Sequence, residues 1–311
     1  MTSLLCICDL QHPTSAESAL GKKSVVFAFR QGTRSQGSVS VRSLELAQLL
    51  SVFDESLEVD SVPIEFLGGG PDFIIASKFV TKSRGIEKTL RQLRRKGGTV
   101  LFDLVDGNPR SSRHIDRYLD GFICSSHGEL RYRRSLGQKA FFIPHNVDNR
   151  MQCNQNQAEV FKVGYSGAPY NALHLGEVAV EIFDSSAPLR GGEFSNLDRF
   201  LRESSHHYSV RRKENRTVFK PSLKIYIAAL YNRAFIGSRE DEEAMAALGE
   251  DYPYLARSSS LEDVTEIIEY AQETFETPVH DLALRKMREL RREFCPASIA
   301  ASLAKALHSF S

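Results

Sequence analysis

The chain has 311 residues, 41% hydrophobic and 25% charged, with a formal net charge of +1, which is enough for two globular domains with packed cores. The near-zero balance argues against a partner held by bulk charge, so nucleic acid is not expected. No apolar run approaches the ~20 residues that span a bilayer, and the start lacks the basic and long apolar stretches of a signal peptide.

Residues 1–23 offer a short apolar piece, Leu4 to Leu10, read as an extra strand or a loosely held end. Val25-Val26-Phe27-Ala28-Phe29 is dense enough for a strand buried on both faces. It runs into a glycine-bearing loop, Arg30 to Ser38, and then a leucine-rich helical pattern from Val41 to Val52. The loop lacks the third glycine and the spacing of a dinucleotide fingerprint, so no cofactor site is read there. Further strands are expected at Leu57 to Val62, Phe73 to Ala76, Thr99 to Asp106, Gly121 to Cys124 and Ala140 to Pro144, with helices at Ile86 to Arg95, His114 to Leu119 and Ser126 to Leu136. Strands alternating with helices in this way call for a parallel sheet covered on both faces, with ligands at the carboxyl ends of the strands. Asp106 would be delivered to that rim.

Asn146 to Glu159 is polar and poor in large apolar residues, as a domain linker is. A second series opens with Phe161 to Gly167, a strand running into a glycine turn. Its centre is Tyr208 to Glu243, which holds a basic cluster (Arg211, Arg212, Lys213, Arg216), then Lys220-Pro221-Ser222-Leu223-Lys224, an apolar helix, the strand Ala234 to Gly237 and the acidic loop Glu240 to Glu243. Pro221 suits a first helical turn and Ser222 a cap. A helix beginning there, with lysines at its amino end, suits a phosphate or pyrophosphate, although a solvated basic face explains the same residues. Leu255-Ala256, a helix from Leu261 to Thr274, and a helical pattern from Asp281 to Leu307 broken at Pro296 complete the chain. The expectation is α/β, with domains over 1–147 and 148–295 and a last helix over 296–311 returning to the first domain.

Five scattered cysteines, Cys6, Cys8, Cys124, Cys153 and Cys295, fit reduced thiols in a cytoplasmic protein better than a disulfide framework. His206-His207 has no carboxylate or cysteine at ligand spacing and reads as structural. Nothing in the sequence chooses among His114, His127 and His145 as site residues.

In order and spacing, four segments resemble the GT-B glycosyltransferases of the family 4 and family 1 type. Gly121 to Ser126 looks like the strand and serine turn late in their first domain, and Phe142-Ile143-Pro144-His145-Asn146-Val147-Asp148 like its exit into the linker. Val163 to Gly167 is similar to the first strand and glycine turn of their second domain, and Lys220 to Lys224 through Ala234 to Ser238 to their donor-binding helix and the following strand. The resemblance covers roughly residues 25 to 311. It implies two Rossmann-like domains facing a central cleft, and hexosyl transfer from a nucleoside-diphosphate sugar, such as a UDP-sugar, to a glycan, lipid-linked or small-molecule acceptor. No cofactor and no metal are expected, since basic groups would neutralise the leaving diphosphate. Arg212 and Lys224 would act there and Asp106 as the base for the acceptor, with Gly167, Arg211, Lys220, Pro221, Ser222, Leu223, Ser238 and Glu240 around the donor. One departure is that the paired glutamates of many retaining members are replaced in register by Phe219 and Ile227, while Glu242 and Glu250 share the offset but follow the strand. A non-hydrolysing sugar-nucleotide epimerase and a binding protein of this fold without catalysis are the alternatives.

Overall fold

The structure is a computed structural model that describes residues 21–148, 150–151, 153–154, 156–187, 192–211 and 218–310. The Leu4 to Leu10 segment, Cys6, Cys8, Arg212, Lys213 and Arg216 lie outside the described residues. The chain divides into two compact units, one of residues 1–148, 216–221 and 294–311, the other of 149–215 and 222–293.

Among the described residues, the first unit holds six parallel strands, β1 (Lys23–Phe29), β2 (Leu57–Pro63), β3 (Phe73–Ser77), β4 (Thr99–Asp103), β5 (Gly121–Cys124) and β6 (Ala140–Phe142), in the order β2-β1-β3-β4-β5-β6. Successive side chains go to opposite faces. Phe27, Ile75, Leu101 and Ile123 enter one core cluster, whereas Ala28, Ile74, Phe102 and Phe122 enter another. The first cluster is closed by α2 (Leu46–Phe53), which continues from the short helix α1 (Gly37–Val39) and the π-helical turn Ser40–Glu45, together with α10 (Pro296–His308) from the far end of the chain. Leu46, Leu50, Leu303 and Leu307 are fully buried there, each worth about 2 kcal/mol of transfer free energy. The second cluster is closed by α3 (Ile86–Arg95) through Ile86, Leu90 and Leu93, and α4 (His127–Ser135) packs against β5 and β6.

Among the described residues, the second unit holds five parallel strands, β7 (Val163–Gly167), β8 (Glu181–Asp184), β9 (His206–Tyr208), β10 (Ala234–Ser238) and β11 (Leu255–Ala256), in the order β11-β10-β9-β7-β8. Helices α5 (Glu193–Glu203), α6 (Leu223–Leu230), α7 (Glu242–Leu248), α8 (Leu261–Glu273) and α9 (Pro278–Glu293) complete it. The two sheets repeat one topology: the strand order reverses between β1 and β3 in the first and between β7 and β9 in the second. In open parallel sheets a ligand crevice forms outside the carboxyl ends at such a reversal.

Several local expectations change. His114 to Leu119 is not an α-helix but contributes the 3-10 turn Asp116–Tyr118, which follows another at Pro109–Ser112. β4 ends at Asp103, because Val105 and Asp106 turn into the left-handed region with φ of 39° and 42°. Pro221 lies ahead of α6 rather than in its first turn, and Ser222 occupies the cap position without capping. Its ψ of 67° takes it out of the extended geometry of a cap, and its hydroxyl oxygen is buried without a hydrogen-bond partner among the described residues.

Candidate functional site

The reversal between β7 and β9 gathers several of the expected residues of the second unit. β7 ends in Gly167, whose φ of +145° suits glycine, and an added Cβ there would stand 2.7 Å from the Lys224 ammonium and 3.0 Å from the Tyr165 hydroxyl. Lys224, in the first turn of α6, donates to the Ser166 carbonyl oxygen at 2.6 Å and lies 4.3 Å from the centroid of the Tyr165 ring. A cation is thus placed against bare backbone beside the N–H groups of a helix start, where anions are favoured. Leu223 is the first residue of that helix, and Ser222 just ahead of it is 3% exposed.

β9 runs out through Ser209 and Val210 to Arg211, whose Nε and Nη2 both donate to one carboxylate oxygen of Asp241, at 3.1 and 2.7 Å. Asp241 also caps α7 by accepting from the N–H groups of Glu243 and Ala244. The acidic loop therefore opens a helix, and one of its carboxylates offsets the Arg211 charge. Ser238, buried at the end of β10, accepts from the Glu240 N–H at 3.1 Å, and Glu240 in turn accepts from the Ser259 N–H at 3.1 Å. His174, which the sequence did not single out, has φ of 59° and reaches the Ser259 carbonyl oxygen at 2.8 Å. Asp241 was legible only as one member of the acidic loop, with no partner assigned, and His174 escaped notice because it belongs to no recognisable motif.

Lys220 and Pro221 fall in the first unit. Their segment is tied down there by the Phe219 N–H, which donates to the Gly107 carbonyl oxygen at 3.4 Å, and by the Phe219 ring, 5.4 Å from that of Tyr132. Next to Gly107, Asp106 is paired with Lys78 at 2.5 Å, and its side chain is 41% exposed. Beneath this rim lies a buried ion pair: the Arg42 Nε donates to Asp103 at 2.9 Å and its Nη1 to the Pro144 carbonyl oxygen at 2.7 Å. Burial pushes the Asp103 carboxyl up despite the guanidinium, and burial next to Arg42 lowers His145 to about 4. The Ser77, Ser125 and Asn146 side-chain oxygens are buried there without hydrogen-bond partners among the described residues. Neither Asp103, placed inside a strand expected to run on to Asp106, nor Arg42, inside a helical pattern, stood out in the sequence.

His206 and His207 occupy the middle of the second sheet. The His206 ring stacks on His280 at 5.2 Å and meets Phe161 and Tyr254, while His207 bonds to the Leu201 carbonyl oxygen at 3.1 Å. Burial holds both below the usual histidine range, His207 at about 4. Among the described residues no group of three or more histidine, cysteine or carboxylate side chains converges as a metal site, and no helix is long and apolar enough to cross a membrane.

No protein-family model and no curated protein sequence matches the chain. Solved structures do. The crystal structure of Anabaena HepE in complex with UDP superposes with a TM-score of 0.64 at 11% identity, covering 92% of this chain and all (100%) of that one. A sucrose-phosphate synthase from Thermosynechococcus elongatus gives 0.63 at 11% identity over 93% and 100%. A glycosyltransferase from Rickettsia africae gives 0.62 at 9% identity over 94% and 98%. The two parallel sheets with their flanking helices have the GT-B glycosyltransferase fold.

Proposed function

We propose that the protein transfers a hexosyl group from a nucleoside-diphosphate sugar to an acceptor hydroxyl without a metal ion. The observation that carries this reading is the Lys224 ammonium, held against the Gly167 backbone at the start of α6, at the strand-order reversal. As the glycosidic bond breaks, negative charge grows on the β-phosphate. A fixed ammonium and a helix amino end stabilise it without reorganising. Arg211 joins the same rim with Nε and Nη2 committed to Asp241, and Ser238 and Glu240 close it on the β10 side. In the first unit, Asp106 stands on an exposed turn as the candidate base for the acceptor hydroxyl, with Lys220 in the segment anchored next to it. Anabaena HepE has been crystallised with UDP and with UDP-glucose, which makes UDP-sugars the first donors to try.

The test is incubation with a panel of nucleotide sugars in excess chelator. Slow release of nucleoside diphosphate, undiminished by the chelator, is the expected result. Loss of release restored by magnesium or manganese would place the phosphate charge on a metal. Interconversion of sugars would indicate an epimerase, and binding without turnover a non-catalytic protein of the same fold.

A further inference from the structure

A different site opens at the opposite edge of the first sheet. α3 ends just ahead of β4, and the turn Asp116–Tyr118 stands just ahead of β5, so both lie at the amino ends of these parallel strands, away from their ligand rim. Between them is a cavity of about 370 Å³ lined by Arg91, Arg94, Arg95, Arg117 and Tyr118.

The arrangement is ordered by the tyrosine. Tyr118 is buried, and the guanidinium carbons of Arg91 and Arg117 lie 5.6 and 4.8 Å from the centroid of its ring. Arg91 also donates to the Tyr118 hydroxyl at 2.9 Å. Two planar donors are thereby held in place before any ligand arrives, which is the condition for forked recognition of phosphoryl oxygens. Two carboxylates enter: Glu87 accepts from Arg117 and Asp120 from Arg94, each at 2.8 Å. Four guanidiniums against these two carboxylates leave an excess of two positive charges (4 − 2), and Arg95 has no ion-pair partner among the described residues. Arg94 and Arg95 in the last turn of α3 suit the negative end of its dipole. That accounts for neither Arg91, one turn earlier, nor Arg117, from a separate segment.

We infer that this cavity binds a phosphoryl group, presented either by a soluble phosphate compound or by a lipid headgroup. The test titrates inorganic pyrophosphate into the full chain by calorimetry, and co-sediments the chain with phosphatidylcholine vesicles with and without phosphatidylglycerol. Arg91→Gln/Arg117→Gln should weaken binding in one of these assays at least tenfold. Arg95→Gln, which breaks no ion pair in the described structure, should weaken it severalfold, and Arg285→Gln, on α9 of the second unit, should change nothing. Loss of pyrophosphate binding identifies a soluble ligand, and loss of vesicle binding alone identifies a headgroup. If Arg95→Gln, folded as judged by circular dichroism, binds both probes as the parent does, the inference is overturned. A pyrophosphate site at the Lys224 rim is a separate event, because it survives the Arg91→Gln/Arg117→Gln change.

Discussion

Lys224 donates a hydrogen bond to the Ser166 carbonyl oxygen across 2.6 Å, which ties the first turn of α6 to the carboxyl end of β7. An ammonium has three donors, so this bond is compatible with another to a phosphate oxygen. Lys224→Ala should lower turnover about 100-fold, about 3 kcal/mol of transition-state stabilisation, with a smaller loss of nucleoside diphosphate affinity. Steady-state kinetics with an identified donor decide it; full activity would remove Lys224 from the reaction.

Gly167→Ala tests the same corner from the backbone side. The new methyl group would stand 2.7 Å from the Lys224 ammonium, at a φ of +145° that side chains rarely adopt. A destabilisation of about 1–3 kcal/mol is expected, together with weaker nucleotide binding as Lys224 is displaced. A variant with unchanged melting temperature and unchanged nucleotide affinity would refute this.

The Arg42 and Asp103 side chains are 1% and 2% exposed. Removing one leaves the other's charge buried, so Arg42→Met or Asp103→Leu alone should cost about 3–5 kcal/mol. The double variant, with no charge left to strand, should unfold at a denaturant concentration closer to that of the parent than either single variant. Additive losses would show the two residues to be uncoupled.

Stability should fall with acid through the histidines. His145, His206, His207 and His280 are all held below their ordinary pKa by burial. The unfolded chain therefore takes up protons first as pH falls below about 6.5, and the folded state loses stability until the folded values, about 4 for His145 and His207, are passed. Buried Glu129, raised to about 7, and Asp103, also pushed up by burial, act in the opposite sense, losing stability as pH rises. The four histidines should outweigh these two carboxyls. Calorimetric melting between pH 4 and 7 should show the decline, reduced in His207→Gln. A melting temperature that is flat over that range would contradict it.

The strands of the first sheet were legible because runs such as Phe73-Ile74-Ile75-Ala76 are buried on both faces. β9 was not, because His206-His207-Tyr208 looks polar, while all three residues are buried and the His206 ring packs with Phe161, Tyr254 and His280. The turn at Val105 and Asp106 was read as strand since apolar residues continue past Asp103, and only the left-handed backbone ends it. Around the candidate site, Lys224 and Gly167 were legible as a helix start and a glycine turn. The Arg211–Asp241 pair was not, since 30 residues separate partners that the ends of β9 and β10 bring together.

Helix α10 has a consequence for synthesis. Ile299, Leu303 and Leu307 fill the same core as Val25, Phe27 and Leu46, yet nearly the whole second unit is translated between them. The first unit is begun first on the ribosome and completed last. Until residues beyond 293 emerge, its apolar face on α2 stays open to solvent and chaperones, so the interval in which this chain is most prone to aggregate is set by how long the second unit takes to translate.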